Sequence, residues 1–232
     1  MADYYWPTSG LTPFAGEMWL QPHTGRSQSP LTNAHKTYGL SGDLWRCRWQ
    51  IRGGYAGATG LTGIGLAMDA LLARLAGGQS RVGLWDFRRP DAIGIDASDV
   101  GNPATSQGAT SMTLTGLPPG GTVYAGNYIG GDGRIHIIKE DVVVGVGGTA
   151  VVTFKPALNA DLLEDTVVFG NPLGWFRLTS DEAGRNPVQV GDAVVYDLEF
   201  IEDPLFAPAV EPTATLRIGG IVILIGGEDV EF

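Results

Sequence analysis

The chain has 232 residues, 35 of them glycine, and a formal charge of -10, with Lys36, Lys139 and Lys155 its only lysines. That length holds one large or two small domains around a real core, and an acidic, lysine-poor surface argues against a protein that grips nucleic acid by neutralising phosphates. Val, Ile, Thr and aromatic residues in short runs between Gly, Pro, Asn and Asp predict an all-β chain with many turns.

Residues Met1 to Trp6 carry Asp3 and lack both a basic and an apolar stretch, so no signal peptide is expected. Phe14 to Leu20 reads as a strand, and Gln21 to Lys36, with Pro22, Gly25 and Pro30, as a long polar loop. Trp45 to Ile51 alternates: Trp45, Cys47, Trp49 and Ile51 share one face, and Arg46, Arg48 and Gln50 the other. Cys47 is the single cysteine, which excludes an intrachain disulfide and predicts a buried thiol.

The period then changes. Leu61, Ile64, Met68, Leu71, Leu72 and Leu75 recur at three- and four-residue steps, predicting one helix over about residues 61–76. Thr59 or Thr62 caps its start in this reading, and Gly77 and Gly78 end it. Val82 to Phe87 follows as a strand. Residues 94–107 read as a linker rich in Asp, Gly and Ser, followed by short strands at 111–115, 123–129, 134–139, 142–146 and 150–154 with glycine-rich turns between them. Alternation resumes at 169–178 and at 194–201, where Val194, Tyr196, Leu198 and Phe200 share a face.

The expected fold is all-β with one helix. A β-sandwich made of residues 1–92 and 171–204 is interrupted by a small β-barrel or sandwich at 105–170, and 205–232 forms a C-terminal β arm. The arm opens Pro-rich and ends in the apolar run Leu216 to Ile225, which would aggregate as an isolated exposed strand and so needs a partner, either its own domain or a neighbouring chain. Its core, Ile218 to Ile225, is far short of the roughly 20 residues a membrane helix needs, so no membrane insertion is expected, and the protein reads as soluble and made in a cytoplasm.

Motifs for chemistry are sparse. Gly54, Gly57, Gly60, Gly63 and Gly65 lie between a strand and the helix, but the G-x-G-x-x-G spacing is absent and the preceding strand alternates. His23, His35 and His136 have no partners at metal-ligand spacing, so no metal or cofactor is expected, and His136, between Ile135 and Ile137, is expected to face solvent. Asp86, Asp91, Asp96 and Asp99 offer carboxylates for a glycosidase pair. No G-x-S-x-G elbow or Walker-type loop occurs. Tyr124, Asn127 and Tyr128 form the candidate platform for a sugar ring.

Four consecutive landmarks run Arg26-Ser27-Gln28-Ser29-Pro30-Leu31-Thr32, then Gly42-Asp43-Leu44-Trp45-Arg46-Cys47-Arg48-Trp49, Leu71-Leu72-Ala73-Arg74-Leu75-Ala76-Gly77 and Val82-Gly83-Leu84-Trp85-Asp86. Together they resemble the N-terminal region of siphophage distal tail proteins, over about residues 14–90. Asn33 stands where that family often has Gly, and the later segments resemble it in style at most. The resemblance implies a non-enzymatic virion subunit of the tail tip. It would form a hexameric ring that joins the tail tube protein to the tail hub protein of the baseplate, with the inserted β-domain projecting outward and DNA passing through the lumen without specific binding. An acidic lumen would not retard that passage.

On this reading the subunit contacts are the loop carrying Arg26, Ser29, Pro30 and Leu31, the strand face Arg46, Arg48 and Gln50, and the arm residues Leu216, Ile218, Ile221 and Ile223. The alternatives are a carbohydrate-binding, receptor-recognising module of a phage tail and a tail-associated glycan hydrolase.

Overall fold

The computed structural model describes residues 2–7, 11–28, 35–39, 42–53, 64–89, 91–94, 100–184, 194–204, 214–218 and 221–225. Strand predominates and one α-helix occurs among the described residues, so the fold is all-β with one helix, its sheets curled into half-barrels.

In chain order the first part holds β1 (Asp3–Tyr5), β2 (Ala15–Gln21), β3 (Thr24–Gln28), β4 (His35–Gly39), β5 (Leu44–Gly53), α1 (Ile64–Leu75) and β6 (Arg81–Leu84). Then come β7 (Ser111–Leu114), β8 (Thr122–Val123), β9 (Tyr128–Gly130), β10 (His136–Ile138), β11 (Val142–Val143), β12 (Ala150–Lys155) and β13 (Val168–Phe169). Finally come β14 (Gly174–Leu178), β15 (Val194–Glu202), β16 (Ala214–Ile218) and β17 (Ile221–Ile225).

One six-stranded sheet runs β1-β6-β14-β15-β5-β2, and a five-stranded sheet runs β13-β9-β10-β12-β7. The larger sheet draws its strands from both sides of the segment that builds the smaller one. Its spine is the antiparallel pair β5 and β15, in register from Val194 opposite Gly53 to Ile201 opposite Arg46. Alternation explains the pair: β5 buries Trp45, Cys47, Trp49 and Ile51, and β15 buries Val194, Tyr196, Leu198 and Phe200 on the same side. The helix covers this apolar face with Met68, Leu71 and Leu75, one helical stripe, in a core shared with Val82, Leu84 and Phe176. A second core, around Leu114, Ile129, Val152 and Phe154, fills the smaller sheet.

Several elements differ from the sequence reading. The loop expected over 21–36 contains β3, which pairs with β4 from Thr24 opposite Gly39 to Gln28 opposite His35. Both strands are polar, so no alternation of apolar residues announces them. The linker expected over 94–107 belongs in part to the smaller sheet: Gly101 bridges Thr115, Thr105 bridges Leu162, and buried Asn102 accepts the backbone N–H groups of Thr166 and Val167. The strand expected over 123–129 is broken into β8 and β9 by a turn at Gly126, whose φ is +89°.

The apolar run Leu216 to Ile225 folds back as the hairpin β16 and β17, with Leu216 opposite Ile223 and Ile218 opposite Ile221. The helix begins among the described residues at Ile64, and the capping candidates Thr59 and Thr62 lie outside them. At its end both Ala76 (φ 47°) and Gly77 (φ 67°) take the left-handed conformation.

Candidate functional site

The expected contact residues fall in three places. Arg26 is exposed on β3, while Ser29, Pro30 and Leu31 lie outside the described residues. Arg46, Arg48 and Gln50 do share the outer face of β5, and β15 supplies their partners. Arg48 Nε and Nη2 donate to the two carboxylate oxygens of Asp197 at 2.7 and 2.5 Å, Gln50 Nε2 donates to the same group at 3.3 Å, and Arg46 Nη1 reaches Glu199 at 3.3 Å. Hydrogen bonds from Arg48 hold the Asp197 carboxyl below its ordinary range. The face is therefore charged on both signs and balanced within the chain. Leu216, Ile218, Ile221 and Ile223 lie on the hairpin of β16 and β17.

The sugar platform is not formed. Tyr124 is exposed, but Asn127 and Tyr128 are buried. The Asn127 amide accepts from the N–H of Ile93 and donates to its carbonyl, at 2.9 and 3.0 Å. Tyr128 packs edge-on against Trp45 and donates its hydroxyl to Asp86 at 2.9 Å. Two polar side chains that looked available in sequence are consumed by the chain's own backbone and core. Of the acidic candidates, Asp86 is buried and already bonded, Asp91 is exposed, and Asp96 and Asp99 lie outside the described residues. His136, expected at the surface, is fully buried.

These corrections converge on one place, the seam between the two sheets. At one end, Asp86 follows β6 and accepts from the backbone N–H and the guanidinium of Arg88 at 2.9–3.0 Å as well as from Tyr128 of β9. Arg89 donates to the Tyr128 hydroxyl and to the Gly126 carbonyl. Burial alone would raise the Asp86 carboxyl, yet the Arg88 and Tyr128 bonds outweigh it and hold it below its ordinary range. Burial, with the Asp86 charge beside it, pushes Tyr128 up to about 12.

At the other end, Arg134 leaves the turn before β10 and forks onto Glu202, the last residue of β15, with Nε 2.8 Å and Nη2 2.9 Å from its two oxygens. Glu202 also accepts the Trp45 N–H at 2.9 Å, Trp45 Nε1 donates to the Ile135 carbonyl at 2.6 Å, and Arg134 donates to the Asp43 carbonyl. Burial raises the Glu202 carboxyl, and the Arg134 guanidinium opposes it. Behind this fork His136 lies between Asp132 and the Pro156 carbonyl.

The turn that presents Asp132 depends on Gly131 (φ +132°) and Gly133 (φ +80°), and a Cβ at Gly131 would stand 2.5 Å from the Thr166 carbonyl oxygen. Asp132, Arg134 and His136 are spaced by two residues, and Glu202 continues the buried alternation of β15; that spacing was the sequence signal for the cluster.

A cleft of about 820 Å³ opens beside the fork, lined by Asp43, Leu44, Gln107, Lys155, Asn159 and Pro204 among others. Its charged groups already face one another: Arg134 is bonded to Glu202, and Lys155 lies 3.5 Å from Asp43. Among the described residues no group of three or more His, Cys, Asp or Glu side chains is placed to hold a metal ion, and no helix is long and apolar enough to cross a membrane. The geometry is that of a joint between the two sheets. Its ionisable groups are spent on holding two sheets together. No protein-family model matches the chain, and no curated protein is similar to it.

Proposed function

We propose that this chain is a structural subunit of a bacteriophage tail tip, similar in role to the distal tail proteins. It assembles into a ring that connects the tail tube to the hub of the baseplate and lets DNA pass. The observation that carries the reading is that three of the four landmark segments share one core: Trp45 and Trp49 of β5, Leu71 and Leu75 of α1, and Val82 and Leu84 of β6 pack together.

Two further features favour assembly. Among the described residues, β1 and β2 stand at the open edges of the six-stranded sheet, and β2 carries neither lysine nor proline to blunt it, with Trp19 exposed on it and Phe14 exposed just before it. In the register of β16 and β17, Leu216 stands opposite Ile223 and Ile218 opposite Ile221, and a two-stranded ribbon is marginal in water by itself. A head-to-tail contact repeated around a closed ring would satisfy both.

Light scattering coupled to size-exclusion chromatography, with negative-stain imaging of the full chain, tests the reading. The expected result is a closed ring whose lumen passes duplex DNA, and a strict monomer at high concentration overturns it.

A further inference from the structure

We propose that the outer face of the six-stranded sheet, turned away from α1, pairs by charge with the same face of a second copy of this chain, about a two-fold axis parallel to the strands. Along each strand the residues of this face alternate with buried ones. Strands β2, β5, β15 and β14 lie side by side in that order. On the outer face they carry columns of alternating sign: Glu17 on β2, Arg46 and Arg48 on β5, Asp197 and Glu199 on β15, and Arg177 on β14.

The order of the signs selects the partner. From β2 to β14 it runs acidic, basic, acidic, basic, and an axis above the gap between β5 and β15 reverses it. A second copy turned over in this way lays its β5 on β15 and its β14 on β2, so each column meets its opposite. An axis across the strands would instead lay every column on its own sign. Nucleic acid, with one sign throughout, would be repelled by every second column. The contact is isologous, as a two-fold axis requires. In register, Trp19, Arg46, Ile201 and Arg177 form one row across the four strands. The same operation places the exposed Trp19 indole over Arg177 of the second copy, a cation for its ring face.

Net charge and exposure both single out this face. The chain carries -10, so two copies repel wherever acidic surfaces meet. On this face the arginines offset the carboxylates, and the groups are reachable: the side chains of Arg48, Asp197 and Glu199 are 52%, 34% and 43% exposed. Their pairs within the sheet, Arg48 with Asp197 at 2.5 Å and Arg46 with Glu199 at 3.3 Å, lie in water and contribute little by themselves. Under a second sheet each pair gains opposite charges from above and loses the water that screens it.

Two charge-reversed proteins test the pairing. The full chain with Arg46→Glu and Arg48→Glu is acidic on both β5 and β15, and the full chain with Asp197→Lys and Glu199→Lys is basic on both. Neither should pair with itself, whereas a one-to-one mixture should. Light scattering is made at about 0.01 M salt, where charges act over about 30 Å. The mass that each variant shows alone is expected to double on mixing, which also shows that both variants kept the face intact. No increase on mixing overturns the proposal.

The pairing does not rest on the ring. Each variant alone reports the ring or the single chain, and the doubling is counted from that mass, so either reading can fail while the other stands. Should a variant fail to fold, the wild type decides. Its mass at low salt should be twice that in about 1 M salt, where charges act over only about 3 Å and the ring or the single chain remains. A wild-type mass unchanged by salt overturns the pairing.

Discussion

Cys47 sits on β5 with no exposed surface, and burial pushes its thiol far above the ordinary range. It is expected to resist a thiol-reactive dye in the native protein and to react fully in denaturant, a difference that absorbance measures directly. Asp132 is the opposite case. Burial would raise its carboxyl, but hydrogen bonds from His136 and from the N–H groups of Asn159 and Arg134 outweigh that and hold it low.

A carboxyl depressed in the folded state contributes stability that is present above its unfolded value of about 4 and is lost as pH falls through the lower folded value. Asp132→Asn should therefore flatten the acid side of the stability profile, as followed by urea denaturation between pH 3 and 6. The fork at the seam predicts a larger effect. Arg134→Ala leaves Glu202 as a buried carboxylate without its guanidinium and should cost about 3–5 kcal/mol in denaturant unfolding.

Among the elements, β5 and β15 were legible because each alternates over its whole length, and the helix because its apolar residues change period to three and four. Strands β1, β3 and β4 were not. β1 is three residues long and is held as a parallel edge strand by Arg81, which bonds Asp3 at 2.6 and 2.7 Å, a contact across 78 positions. Short polar strands owe their existence to such partners, and local pattern does not record them.

The close packing of β2 against β5 is testable at Gly16. A Cβ there would meet the Trp49 ring at 2.3 Å and the Arg48 carbonyl at 2.4 Å, and the carbonyl is backbone that cannot swing aside. Gly16→Ala should lose about 1–3 kcal/mol of stability by overpacking. On the helix, Leu75→Ala removes a fully buried side chain and should cost about 2–5 kcal/mol, read from the thermal or urea midpoint.

For the whole molecule, the proposed ring gives the C-terminal hairpin of β16 and β17 the role of a subunit contact. Removal of residues 205–232 is then expected to leave a folded protein that no longer forms rings, with circular dichroism unchanged and the mass by light scattering reduced to that of one chain. A truncated protein that still closes into rings would place the contact elsewhere, with the open edges of β1 and β2 as the remaining surfaces.

Composition and periodicity alone established an all-β chain with one helix, a buried cysteine and the inward faces of β5 and β15, because each of these is written in residues close together along the chain. The fates of Asp86, Asn127, Tyr128, Arg134, His136 and Glu202 needed the folded chain. Asp86 meets Tyr128 across 42 positions, Arg134 meets Glu202 across 68, and Trp45 meets Glu202 across 157. A polar side chain in a strand reads as solvent-facing until a partner at such a distance removes the cost of burying it. That pairing turns an apparent surface into the joint of the molecule.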